Sequence, residues 1–151
     1  MRHWLMKSEP DDVSIDHLAA MPNRTVAWYG VRNFQARNFM REMQLGDRAF
    51  FYHSSCPEPG IAGIVRVSKL AYPDATQFDR KSPYFDPKSR EAAPRWLNVE
   101  VTFVKKTRLI ALAELRIQPQ LESMRVLKRG NRLSITPVEP QEWDYIVEQL
   151  A

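Results

Sequence analysis

The hexapeptide Arg48-Ala49-Phe50-Phe51-Tyr52-His53 is the most informative segment for the fold. It follows the turn signal Leu45-Gly46-Asp47 and is rich in aromatic residues, which is typical of a β-strand. Alternate residues of a strand face opposite sides of a sheet. We therefore expect at least one of the neighbours Phe50 and Phe51 to pack in the core.

Further strands are predicted on both sides of this segment. His3–Met6 reads as a short strand, and Ile61–Leu70 as a longer one interrupted by Gly63. Leu97–Phe103 alternates apolar and polar residues, as a half-buried antiparallel strand does. Asn131–Thr136 is predicted to be the last strand.

Helices are predicted where apolar residues repeat at helical spacing. Ser14 caps a short helix over Ile15–Ala20, and Asn33 caps a second over Phe34–Met43. Pro140 opens a final helix. Two short helical or turn segments complete the set, Leu109–Leu115 and Pro119–Met124. Five or six short strands without a βαβ rhythm predict an α+β fold, a compact β-barrel decorated by short helices, in one domain over residues 1–151.

Composition and charge exclude several classes of protein. The chain has 151 residues with 22 basic and 18 acidic side chains, a net charge of +4, and all of the excess lies after residue 60. Such a charge favours a polyanionic partner without establishing one. No stretch approaches the roughly 18 apolar residues of a membrane span, and a single cysteine, Cys56, excludes an internal disulfide framework. We expect a cytosolic (cytoplasmic) protein that does not associate with membranes.

Aromatic residues are concentrated between Trp28 and Tyr52 and alternate with amides, hydroxyls and bases. A pocket for a nucleobase needs this mixture, because flat rings stack on the base while polar groups read its edge. Trp28 is the strongest single candidate. It lies in a loop beside Gly30, which permits a close backbone approach. Four prolines between Ala71 and Arg95 also predict a long irregular loop, a kind of segment that is often functional.

Other chemistries have weaker support. His3, His17 and His53 lack the spacing of metal ligands, so no metal or other cofactor is predicted. Cys56 and His53 resemble a nucleophile and its base only in residue type, since no orienting acid is evident. Glycine-rich phosphate-binding motifs are absent.

Several strings in the chain together resemble the EVE-domain family, of the thymocyte nuclear protein type. The resemblance runs through nearly the whole sequence in order, and its main motifs are Trp4-Leu5-Met6-Lys7-Ser8-Glu9-Pro10, Trp28-Tyr29-Gly30-Val31-Arg32-Asn33-Phe34, Phe51-Tyr52-His53-Ser54, and Arg132-Leu133-Ser134-Ile135. It implies a PUA-like β-barrel related to YTH and ASCH domains, in a family regarded as readers of modified nucleobases. It also implies a ligand pocket lined by Lys7, Ser8, Trp28, Asn33, Asn38, Tyr52, His53, Ser54, Arg132 and Ser134.

Two positions depart from the family pattern. Tyr29 stands where Asp is more common, and Phe34 where Tyr is more common. On a helical wheel Phe34 falls among polar residues, which packing within the helix does not explain. We therefore predict a rim that faces nucleic acid, composed of Arg32, Phe34, Arg37, Arg41, Arg125, Lys128 and Arg129.

The leading hypothesis is a non-catalytic, monomeric module that binds DNA or RNA and stacks a modified base against Trp28. The alternative is a small nucleoside or RNA hydrolase in which Lys7 or His53 acts as the general base. A third interpretation is a protein-interaction adaptor with a vestigial pocket.

Overall fold

Six strands form one mixed sheet in the computed structural model, which describes residues 1–151. The strands are β1 His3–Ser8, β2 Thr25–Ala27, β3 Arg48–His53, β4 Gly60–Pro73, β5 Leu97–Ala111 and β6 Ile135–Val138. Their order across the sheet is β2-β5-β4-β3-β1-β6. β1 and β3 run parallel, and every other neighbouring pair is antiparallel.

Short helices connect and cover the strands. The α-helices are α1 Ile15–Ala20, α2 Phe34–Glu42, α3 Leu112–Arg116 and α4 Pro140–Tyr145, and the last continues as a π-helical turn over Ile146–Leu150. The predicted caps are confirmed, since Ser14 accepts a hydrogen bond from His17 N–H and Asn33 accepts one from Ala36 N–H. None of the helices is long and apolar enough to cross a membrane.

The core lies on both faces of the sheet because β3 is covered on both sides. Ala49 and Phe51 belong to a cluster of 17 buried residues beneath α1 and α2. Phe50 and Tyr52 belong to a cluster of 13 on the opposite face, together with residues of α3 and α4. Phe50 and Phe51 are therefore both core residues, and each contributes about 1.5–3 kcal/mol by its burial.

The predicted closed barrel is not what the structure shows. β2 and β6 are the two edges of the sheet and do not pair with each other. Helix α2 packs against β4, β5 and β6. The α+β class is confirmed, but the sheet remains open.

Several element boundaries also differ from the prediction. β2 was not predicted, because its three residues are too few to show the apolar–polar alternation of a strand. β5 continues to Ala111, so the segment predicted as helical from Leu109 begins as a strand. The last strand starts at Ile135, and α2 ends at Glu42.

Candidate functional site

A cavity of about 630 Å³ opens where β1 and β3 end. Because these strands are parallel, their last residues lie side by side, with Lys7 opposite Tyr52 in the register. The Lys7 N–H donates to the Ser134 carbonyl at 2.8 Å, which brings the segment before β6 to the same edge. The volume lies within the usual range of small-molecule pockets.

Trp28 forms part of the cavity wall although its side chain is largely buried. Its exposed fraction is 8%, and it belongs to the larger core cluster. The Phe51 ring meets the indole edge-on with ring centroids 5.6 Å apart, and the Trp28 backbone N–H donates to the Val99 carbonyl. Trp28 is therefore anchored by its ring and by its backbone, and it also borders the cavity.

Tyr84 forms another part of the wall and comes from the long loop between β4 and β5. Gly30 has a φ of +85°, and a Cβ there would lie 2.8 Å from Tyr84 Cζ. Position 30 therefore requires glycine. Any other residue would be strained at this φ, and its Cβ would displace the tyrosine ring. The close approach brings Tyr84 next to the Trp28 loop.

Asp74 fixes this loop to the segment after Trp28. Its buried carboxylate accepts hydrogen bonds from Gly30 N–H at 2.8 Å and from Arg32 Nη1 at 3.1 Å. Burial by itself raises the pKa of Asp74, but the hydrogen bonds from Thr76, Gly30 and Arg32 outweigh it and hold the pKa below its ordinary value. Arg32 also donates to the Tyr84 carbonyl at 2.8 Å. The Arg32 guanidinium thus holds the loop together and has little capacity left for a phosphate.

Gln77 closes the same loop at both ends. The side chain is fully buried, and its Nε2 donates to the carbonyls of Asp74 at 2.7 Å and Trp96 at 2.8 Å. Its Oε1 accepts from Ser89 Oγ and from Trp96 N–H. The irregular loop is therefore an ordered wall of the cavity.

The cavity is electrostatically uneven. Burial lowers the pKa of Lys7 and raises that of Tyr52. The carboxylates of Glu9 and Asp12 line the cavity from exposed positions in the turn after β1. Burial raises the pKa of Tyr84, and the charge of Asp12 raises it further.

Seven of the ten residues predicted for the pocket line this cavity: Lys7, Ser8, Trp28, Tyr52, Ser54, Arg132 and Ser134. The other three have local structural contacts instead. Asn33 caps α2 at 3.0 Å from Ala36 N, and Asn38 accepts hydrogen bonds from Arg37. His53 Nε2 accepts from Ile15 N–H at 3.1 Å, so this imidazole supports the start of α1.

Some residues of the predicted rim pack against other side chains, and others are exposed to solvent. Phe34 stacks on Trp96 with ring centroids 4.7 Å apart, and Arg37 lies over the same Phe34 ring at 4.7 Å. This contact with a residue 62 positions away explains the aromatic among polar neighbours. Arg41, Arg125, Lys128 and Arg129 are exposed.

Tyr84, Glu9 and Asp12 were not among the predicted pocket residues. The prolines around Tyr84 did mark its loop as functional, but nothing local indicated which side chain would face the cavity. Glu9 and Asp12 were read as a turn signal. No three His, Cys, Asp or Glu side chains lie close enough together to hold a metal ion.

The whole chain was then compared with known proteins. The model of the family described as EVE domain matches residues 2–149. The chain belongs to the EVE-domain family. This EVE domain is 49% identical to human thymocyte nuclear protein 1, over 96% of this chain and 72% of that protein.

Two solved structures show the same fold. A crystal structure of a protein from Pseudomonas putida has a TM-score of 0.92 and 48% identity, and the match covers 96% of this EVE domain and 97% of that chain. The structure of the human THYN1 protein in complex with DNA containing 5-methylcytosine has a TM-score of 0.90 and 47% identity, covering 97% of this chain and 96% of that one.

These relatives correct the expected location. From the sequence we expected a cytoplasmic protein. The similar human, chicken and mouse proteins are named as nuclear proteins, which contradicts that assignment.

Proposed function

We propose that this EVE domain is a non-catalytic DNA-binding module that holds one modified base in the cavity beside Trp28. The observation that carries the proposal is the cavity itself, walled by Trp28 and Tyr84 and lined by polar groups. The structure of human THYN1 with 5-methylcytosine DNA supports DNA as the polymer and a C5-modified cytosine as the base. To reach the cavity the base is turned out of the duplex, which costs a few kcal/mol.

Stacking and burial of the methyl group contribute different amounts to the binding free energy. Stacking on an aromatic side chain contributes about 1–3 kcal/mol per base, enough to offset much of the cost of extrusion. One buried methyl group contributes about 0.8 kcal/mol. The selection of a modified base therefore depends on cavity shape and on polar contacts as well as on the methyl group.

A binding panel tests the proposal. Matched duplexes carrying a single cytosine, 5-methylcytosine or 5-hydroxymethylcytosine, and their RNA counterparts, are titrated and followed by fluorescence anisotropy. We expect the tightest binding to a modified-cytosine DNA and no chemical change in the base after incubation. Equal affinity for modified and unmodified DNA would contradict the reader, and binding of no oligonucleotide would favour the adaptor interpretation.

One observation favours the hydrolase as a second candidate. Lys7 lines the cavity, and its pKa is lowered by burial, as a general base requires. Mass spectrometry of nucleosides and RNA incubated with the protein separates the two functions. Product formation that is lost in Lys7→Met would establish the enzyme.

The exposed bases beside the cavity are proposed to contact phosphates. Lys128 and Arg129 lie in a loop that leads to Arg132 at the cavity, and no acidic residue interrupts residues 125–132. We expect Lys128→Ala/Arg129→Ala to lower the slope of log affinity against log salt by about 1 per lost phosphate contact. Arg37→Ala/Arg41→Ala tests the α2 side of the rim in the same way. An unchanged slope in either double variant removes that pair from the interface.

A further inference from the structure

The cavity contains an unpaired hydrogen-bond donor group in its half-buried part. The Lys7 side chain lines the cavity, and its ammonium lies 5.9 Å from the Tyr52 ring centroid. This ammonium makes no ion pair within the protein. An ammonium is a donor only, so this part of the cavity calls for an acceptor.

The opening of the cavity presents the reverse chemistry. The Glu9 and Asp12 side chains line it, are exposed, and make no ion pair or hydrogen bond within the protein. A carboxylate is an acceptor only. The cavity thus carries a donor in its half-buried part and acceptors at its opening.

We propose that this arrangement selects cytosine over thymine, with cytosine O2 accepting from Lys7 and the exocyclic N4 amino group donating to Glu9 or Asp12. The inference rests on the proposed function and deepens it. Cytosine has two acceptors followed by a donor along this edge, and carboxylates are known to accept from cytosine N4. Thymine has an N3–H and an O4 acceptor in the corresponding places. Its O4 would meet a carboxylate, and two acceptors cannot form a hydrogen bond.

5-Methylcytosine and thymine make the decisive comparison because they share the methyl group and the ring size. Each base is placed opposite an abasic site in the same duplex, so that neither has to break a base pair when it leaves the helix. We expect the wild-type protein to bind 5-methylcytosine at least about tenfold more tightly than thymine. In Glu9→Gln/Asp12→Asn, whose amides also donate, we expect this preference to fall below about threefold.

Two further variants separate the possible causes. Asp11→Asn removes one charge from an exposed residue of the same turn that does not line the cavity, and we expect it to leave the preference unchanged. Lys7→Met removes the ammonium but keeps a long side chain, and we expect it to weaken both bases alike because both carry O2. Equal binding of the two bases by the wild type, or a preference unchanged in Glu9→Gln/Asp12→Asn, overturns the inference while leaving base binding intact. Failure of the wild type to bind either duplex overturns the proposed function itself.

Discussion

Trp28→Leu is expected to weaken the binding of a modified-base duplex about 5- to 150-fold. This range corresponds to the roughly 1–3 kcal/mol that an aromatic platform contributes to holding one base. Leucine retains an apolar side chain at a site that is 8% exposed but removes the flat ring. Alanine is a poorer test, because removing a buried tryptophan side chain costs about 3–5 kcal/mol of folding free energy, a large part of a typical domain's stability. Anisotropy and urea unfolding, measured on the same samples, separate binding from stability.

Trp143→Leu is the matched control for this experiment. Trp143 is 7% exposed, stacks on Phe50 at 4.0 Å between ring centroids, and belongs to the core cluster on the other face of the sheet. It does not line the cavity. We expect this variant to lose stability but retain its affinity. If both leucine variants bind equally well, stacking on Trp28 is not the basis of recognition.

Asp74→Ala is expected to lower the free energy of unfolding by about 3 kcal/mol and to abolish high-affinity binding. The carboxylate is fully buried, whereas the Arg32 side chain is 22% exposed, so the loss falls toward the lower end of the range for a broken buried ion pair. Gly30 N–H and Arg32 lose their acceptor together, and the loop that carries Tyr84 loses its attachment. Asp79→Ala, an exposed residue of the same loop, should change the unfolding free energy by less than about 0.5 kcal/mol.

The Asp74 contribution also has a defined pH dependence. Its folded pKa lies below the ordinary value, so the unfolded chain takes up the proton first as pH falls. The stabilisation is complete above the ordinary carboxyl pKa of about 4 and is lost as pH falls through the lowered value. The difference in stability between wild type and Asp74→Ala should therefore be constant near neutrality and shrink below about pH 4. A constant difference down to pH 2 would contradict this assignment.

The sequence predicted correctly the features that depend on residues close together in the chain. Ser14 and Asn33 cap their helices as expected, because capping involves residues within one turn. The aromatic segment 48–53 forms β3, and the loop containing Trp28 reaches the cavity. The family could be recognised because its motifs extend in order over nearly the whole chain.

Contacts between distant residues account for what the sequence did not reveal. Phe34 is exposed, as the helical wheel predicted, but its stacking on Trp96 could not be predicted because Trp96 comes from another loop. His53 resembled a ligand-binding residue, but it accepts from Ile15 N–H, 38 residues earlier. The predicted barrel is not confirmed, because β2 and β6 are the edges of the sheet, and a strand's own sequence does not show which distant strand it pairs with.

The position of β1 between β3 and β6 affects when the cavity can form during synthesis. β1 is the first strand to be made, yet it pairs on one side with the last. The bond from Lys7 N–H to the Ser134 carbonyl joins positions 127 residues apart. Contacts of such long range form late and slowly in folding. A nascent chain on the ribosome therefore exposes one edge of β1 until β6 emerges, and the cavity is complete only after that pairing has formed.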